Sequence, residues 1–301
     1  YGEFDPTPIL APFFLLFFAM CMGDCGYGIL LMIIGVLIAK KKLNIAMFDG
    51  LGPIITVLGV GTTVVGFFLG TFMGIDLYNA EWMPQALKSV MIKGEVMGYD
   101  IQMVLALCIG VFHICLAMVV KAICYTKQFG FKENIATWGW TLLIVGGLLV
   151  AILGMTILPA AVFKWAIIAV GTVSALAIYI FNTPGRNPLI NIGAGLWDTY
   201  NMATGILGDV LSYIRLYALG LAGGMLGAAF NNLGLMVMGG STEGATWQWL
   251  PFVLILVLGH VLNLAMSALG AFVHPLRLSF VEYFKNAGYE GKGTLYKPFK
   301  K

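Results

Sequence analysis

Gly259-His260-Val261-Leu262-Asn263-Leu264-Ala265-Met266-Ser267-Ala268-Leu269-Gly270-Ala271-Phe272-Val273-His274-Pro275-Leu276-Arg277 lies within an apolar run over residues 248–284. Its polar residues, with Gly270 among them, follow one spacing. His260, Asn263, Ser267, Gly270, His274 and Arg277 are separated by steps of three and four. On a helix turning about 100° per residue they share one stripe roughly 100° wide. The remaining surface is Leu, Val, Ala, Met and Phe. A polar stripe along so apolar a helix is either the wall of an aqueous path or a hydrogen-bonded seam between helices. An Arg at the end of the stripe favours the wall.

The rest of the chain agrees with a membrane setting. Of 301 residues, 60% are hydrophobic and 10% charged, where a soluble domain carries about 25% charge. A water-soluble enzyme is thereby excluded, as is a disordered chain. The net charge of +3, with no dense basic cluster, excludes a nucleic-acid module. Apolar runs fall at 8–39, 51–75, 101–124, 138–158, 161–181, 205–238 and 248–284. They are continuous rather than alternating, so the spans are helices and not the strands of a barrel. The first run is too long for one crossing: as a single helix it would measure about 48 Å against a core of about 30 Å. Gly23-Asp24-Cys25-Gly26-Tyr27-Gly28 interrupts it. A short helical hairpin turning there gives eight crossings; one long tilted helix is the other reading. Residues 188–204 are less apolar and predict an amphipathic helix leading into the next span.

Charge sets the orientation. Lys40–Lys42, the 121–133 linker, Arg186 and the tail place twelve Lys and Arg on one side, and Lys88, Lys93 and Lys164 lie on the other. The richer side is expected to be cytoplasmic, with both termini there. The sequence begins at Tyr1 with no signal-peptide pattern, and is expected to be part of a longer protein. The five cysteines read as small apolar packing residues. No cofactor or metal is expected. The sequence has no Gly-x-x-x-x-Gly-Lys-Ser/Thr loop, so a non-catalytic subunit drawing energy from elsewhere is expected.

Arg215 is the second intramembrane cation. About twenty largely apolar residues follow it, and burying it at the centre of a span costs roughly 2.5–3.5 kcal/mol. It keeps its proton, so it needs a carboxylate or water; snorkelling to headgroups is the bland alternative. On a continuous helix Asn201, Thr204, Gly208, Ser212 and Arg215 would share a face. Asp209, six residues away, is not expected to pair with it. Ser279 and Glu282 extend the polar stripe of the last run. Asp24 either lines an exit path or caps the second short helix. Asp76 is expected to be solvated and His113 to be a core histidine. Gly220, Gly223, Gly224 and Gly227 allow close approach of a neighbouring helix or subunit. No strong internal repeat is visible, which disfavours an inverted-repeat transporter.

Two segments closely resemble a known family. Leu211-Ser212-Tyr213-Ile214-Arg215-Leu216-Tyr217-Ala218-Leu219 and Gly270-Ala271-Phe272-Val273-His274-Pro275-Leu276-Arg277-Leu278-Ser279-Phe280-Val281-Glu282 are similar to the last two membrane helices of the V/A-type rotary ATPase stator, subunit a or subunit I. Phe17-Phe18-Ala19-Met20-Cys21-Met22-Gly23-Asp24-Cys25-Gly26-Tyr27-Gly28 resembles its first hairpin. The tail Gly291-Lys292-Gly293 and Lys297-Pro298-Phe299 resembles its end. The resemblance implies an all-α polytopic protein of about eight transmembrane helices, the last two long and tilted, with residues 1–301 forming the ion-translocating membrane domain. It implies a rotor ring of small subunits bearing ion-carrying carboxylates, and a peripheral stalk and soluble sector reached through an N-terminal cytoplasmic domain. Arg215 is the residue the family sets against the ring carboxylate, with Arg277 beside it. Half-channels lined by Ser212, His260, Asn263, Ser267, His274, Ser279, Glu282 and Asp24 would carry H+ or Na+. Ser267, Gly223, Asn201 and Asp209 stand where the eukaryotic branch has Glu, His, Glu and His, which marks a prokaryotic member and a prokaryotic cell membrane. A stand-alone transporter using its intramembrane Arg residues to bind an anion is the competing expectation, and a structural anchor with a packing seam is a third.

Overall fold

The computed structural model describes residues 5–42, 50–157, 159–181, 187–239, 246–289 and 291. Arg186 and the tail lysines 292, 297, 300 and 301, used for the orientation expectation, lie outside the described residues, as does all of the tail motif but Gly291. The described chain is almost wholly helical. Six helical segments are long and apolar enough to cross a membrane, and two shorter apolar helices precede them. Contacts divide the chain into two units, one of Thr7–Cys108 with Ser212–Ser279, the other chiefly of Ile109–Leu211 with the segment from Phe280 onward.

The first unit begins with α1 (Thr7–Met22), α2 (Cys25–Ala39) and α3 (Gly52–Leu69). The expected hairpin is present. Gly23 adopts a φ of 57°, which favours glycine, and the chain turns there. α2 and α3 run antiparallel at glycine-limited distance: a Cβ at Gly59 would fall 2.5 Å from the Met32 nitrogen, and one at Gly52 2.5 Å from that of Ala39. Leu15 covers Gly61 and Leu69 reaches Gly23, so α1 runs parallel to α3 and antiparallel to α2. α3 packs along both arms of the hairpin. Thr56, Thr62 and Thr63 each return their hydroxyl to the carbonyl four residues back, at 2.8 Å, so no donor is left facing lipid.

The second run ends earlier than its hydropathy suggests. Gly70 takes a left-handed conformation that stops α3, and residues 71–76 form a two-stranded ribbon, β1 (Thr71–Phe72) and β2 (Ile75–Asp76). Asp76 is not simply solvated: its carboxylate lies 2.7 Å from the Lys93 ammonium. A one-turn helix, α4 (Gln85–Lys88), and a second ribbon, β3 (Glu95–Val96) with β4 (Tyr99–Asp100), lead to α5 (Ile101–Phe129). The unit is completed by α10 (Ile214–Val237) and α11 (Trp249–Arg277), which pack on each other and on α1.

The other unit contains the later part of α5, then α6 (Ile135–Thr141), a π turn over Leu142–Gly146, α7 (Gly147–Thr156), α8 (Ala160–Tyr179) and α9 (Pro188–Ser212). After α11 a second π segment, Leu278–Tyr283, leads to α12 (Phe284–Ala287). α6 and α7 pack on α8. Asn134 ties the turn after α5 together by donating to the Tyr125 and Gly130 carbonyls, both at 3.0 Å. The amphipathic helix expected over 188–204 is the front of α9, which continues to Ser212 without a break at the apolar boundary. The helix formed by α11 and its extension spans 39 residues. At about 1.5 Å per residue that is nearly twice the hydrocarbon core, so it must tilt or extend past it.

Candidate functional site

Arg215 sits in the first turn of α10. The helix tightens just before it: Tyr213 lies between α9 and α10 with right-handed helical dihedrals, φ -73° and ψ -19°, and the Leu216 amide bonds the Tyr213 carbonyl at 3.1 Å, a three-residue turn. Tyr213 is fully buried and meets the Phe17 ring edge-on at 5.6 Å. The Arg215 side chain is half-buried, and its Nη1 is buried without a hydrogen-bond partner among the described residues. The ion pairs found among them join other residues, Lys93 with Asp76 and Lys285 with Asp209. The Arg215 charge reaches Cys21 on α1 and His274 on α11, and the charge of the exposed Arg277 also reaches His274. The His274 Nδ1 is likewise buried with no partner among the described residues. Two cationic side chains thus act on one imidazole, and neither forms an ion pair among the described residues.

The stripe on α11 divides into two halves. In the first, hydrogen bonds are nearly saturated. The Tyr27 hydroxyl on α2 lies 2.7 Å from His260 Nδ1, and His260 Nε2 lies 3.0 Å from the Asn231 carboxamide oxygen. Asn263 donates to the Tyr27 hydroxyl and to the Gly223 carbonyl, both at 2.8 Å, and accepts from Ser267 at 3.2 Å. Asn231 in turn donates to the Met73 carbonyl at 2.9 Å. These bonds join α2, α10, α11 and the β1–β2 ribbon. The second half, from Gly270 to Arg277, has no such partners among the described residues apart from the shared field at His274. The opposite arc of α11, including Leu250, Leu254, Val257, Val261 and Leu262, is exposed.

Asp24 resolves into a cap. Its carboxylate accepts from the amides of Gly26 at 2.8 Å and Tyr27 at 3.2 Å, and across the hairpin from Met73 at 2.8 Å and Gly74 at 3.1 Å. One side chain thereby closes α2 and anchors the ribbon. Thr71 adds a bond from its hydroxyl to the Gly23 carbonyl. The ribbon presses on α10 at Gly227, whose substitution by any residue with a Cβ would bring that atom 3.0 Å from the Gly74 Cα. Gly220 meets the end of α1 and Gly223 the Ser267 hydroxyl, whereas Gly224 has open space at its Cβ position. Beside Gly220, an open pocket of about 290 Å³ is lined by Met20, Gly23, Leu69, Gln102, Tyr217 and Gly220. The Tyr217 hydroxyl donates to the Asp100 carboxylate at 3.1 Å.

Comparison with known proteins gives this arrangement a family. Residues 199–301 match the V-type ATPase 116kDa subunit family. The whole chain is 31% identical to half of the V-type ATP synthase subunit I of Borreliella burgdorferi. It is also 31% identical, again over its whole length, to 45% of the A-type ATP synthase subunit I of Methanocaldococcus jannaschii. The corresponding protein of Pyrococcus abyssi is 31% identical over 99% of this chain and 43% of its own length. The chain belongs to the V/A-type ATP synthase subunit I family.

The family and the long apolar helices fit a multi-pass membrane protein. The chain spans about half the length of the relatives it matches. Of the residues the sequence singled out, Arg215 and Arg277 both lie within electrostatic reach of His274, and His260, Asn263 and Ser267 share one hydrogen-bonded seam. Ser279 is buried with its Oγ unpartnered among the described residues, and Glu282 is buried in the π segment. Ser212 is half-buried at the end of α9. Asp209 binds Asn286 at 2.8 Å and Lys285 at 3.2 Å rather than Arg215. His113 is buried and stacked on Tyr283, 4.7 Å between centroids. Sequence reasoning missed Tyr27, Asp100, Gln102, Tyr217 and Asn231. Tyr27 and Asn231 carried a signal, being polar groups within apolar helices, but their partners lie up to 236 residues away along the chain.

Proposed function

We propose that residues 1–301 are the ion-translocating membrane domain of the stator, with Arg215 facing the carboxylates of a rotor ring. The observation that carries this reading is the Arg215 guanidinium, half-buried with no acid paired to it among the described residues. Such a cation in a low-dielectric setting calls for an anion, and one supplied by a moving partner would serve intermittently. A neutral, ion-loaded carboxylate can face lipid, whereas an ionised one is strongly disfavoured there. Arg215 would stabilise the ionised form, promote release of H+ or Na+, and block leakage between two offset half-channels. His274 and Arg277 would line one path with Ser279. Ser212 lies three residues before Arg215 and would border the same path. The seam of His260, Asn263 and Ser267 would border the other path, with Asp24 holding its hairpin wall in place. The open pocket beside Tyr217 gives water a place within a few residues of Arg215.

The ring and the peripheral stalk would be the partners, the stalk and the soluble sector being reached through an N-terminal cytoplasmic domain. The basic side, with twelve Lys and Arg against three, would face the cytoplasm of a prokaryotic cell and hold both termini. ATP-driven ion pumping by the reconstituted whole complex carrying Arg215→Ala, with assembly checked in parallel, tests the reading. Pumping should vanish while ring and soluble sector still co-purify. Near-normal pumping would make Arg215 a snorkelling or packing residue.

A further inference from the structure

In the unit formed chiefly by residues 109–211, an open pocket of about 350 Å³ is lined by Lys121, Thr137, Trp140, Thr141 and Asn286, with methionines from α5 and α9. Its depth can be placed. Lys121 is twenty residues beyond the start of α5, about 30 Å along the axis, which equals the thickness of a hydrocarbon core. The ammonium therefore lies where apolar core gives way to headgroups, whichever face of the membrane that is. Trp138 and Trp140 fit that level, where indoles collect; the Trp138 Nε1 is fixed on the Thr126 hydroxyl at 2.6 Å.

The charge at this pocket is unbalanced. Lys121 is half-buried, with its Nζ 5.7 Å from the Tyr125 ring centroid, and it forms no ion pair among the described residues. Asp209, the acid next to Asn286, is already engaged by Lys285 and by the Asn286 amide, whose second bond goes to the Glu282 carbonyl at 2.7 Å. The Thr141 hydroxyl is spent on the Thr137 carbonyl. What remains is a cation in a partly enclosed site, flanked by an indole and thioethers.

We propose that this pocket binds the phosphate of an anionic phospholipid, with Lys121 as its counter-charge and the Trp140 and methionine surfaces against the glycerol and first acyl carbons. Inorganic phosphate has the same oxyanion chemistry, but headgroup depth and apolar flanks fit the lipid. One Lys near an anionic membrane surface contributes about 1 kcal/mol, roughly a fivefold change in retention.

The test is made on the intact complex, stripped of lipid in detergent and then given phosphatidylglycerol, phosphatidylcholine or inorganic phosphate, with lipid retained per complex quantified. Lys121→Gln should lower phosphatidylglycerol retention about fivefold and leave phosphatidylcholine unchanged. Lys121→Arg should retain it, and so should Lys127→Gln, which makes the same charge change on an exposed position of the same helix. Should Lys121→Gln fail to assemble, Thr137→Glu keeps Lys121 and puts an anion in the pocket; it should cause the same loss. Undiminished phosphatidylglycerol retention in the assembled variants would overturn the proposal. So would saturation of the site by inorganic phosphate with no preference for the lipid.

Discussion

Tyr217 and Asp100 meet across a distance of 117 residues in sequence, the phenol donating to the carboxylate at 3.1 Å two positions beyond Arg215. Tyr217 lines the pocket beside α10, and the bond links the helix bearing Arg215 to the start of α5. Hydrogen bonds to charged groups contribute about 1.5–3 kcal/mol, so the pair is strong enough to favour one orientation of the Tyr217 ring that lines the pocket.

If the pocket is part of the ion path, Tyr217→Phe should slow ATP-driven pumping several-fold in the reconstituted complex. Asp100→Asn should do much the same, and the double variant should be little worse than either. Losses that multiply would mean that the two residues act separately.

Arg215→Lys retains the charge but not the planar fork. Pumping should fall by about tenfold or more, the equivalent of roughly 1.4 kcal/mol in the barrier, while subunit composition on a native gel stays intact. A Lys variant that pumps normally would show that only charge matters at this position.

Asp24 serves four amides at once. Replacing it with Ala removes a cap worth about 1 kcal/mol and strands the Met73 and Gly74 amides, each at a cost of about 1–3 kcal/mol. Thermal unfolding of the purified subunit should begin several degrees lower, and Asp24→Asn should fall between the two. An unchanged melting curve for the Ala variant would remove Asp24 from the scaffold.

Asn263→Leu should destabilise more than Ser267→Ala. The first removes a buried donor from both the Gly223 carbonyl and the Tyr27 hydroxyl, while the second removes a peripheral 3.2 Å bond. The expected cost is about 1–3 kcal/mol against a few tenths, read as membrane yield and denaturation midpoint. Equal effects would indicate that the seam is loosely held.

Gly59→Val tests the close packing of α2 on α3. Its Cβ would sit 2.5 Å from the Met32 nitrogen, and overpacking of this kind typically costs about 1–3 kcal/mol. Reduced accumulation in the membrane is expected, whereas Gly147→Val, with open space at its Cβ position, should accumulate normally.

The sequence by itself determined the membrane setting, the helical class and the turn at Gly23, because a core about 30 Å thick imposes run length and glycine marks where the chain can bend sharply. It also picked out Arg215 and Arg277, since a permanent charge in an apolar run is costly wherever it falls. Only the tertiary structure decided how the stripe on α11 is used. His260 and Asn263 have the same spacing as His274 and Arg277, but the first two meet Tyr27, Asn231 and Gly223, and the last two meet no such donors or acceptors among the described residues. Periodicity reports the face a residue occupies and is silent on what another helix brings to that face. The same limit hides the tightened turn at Tyr213, whose buried ring meets Phe17. It also explains why Asp76 pairs with Lys93, and why Asp24 became a strap across the hairpin.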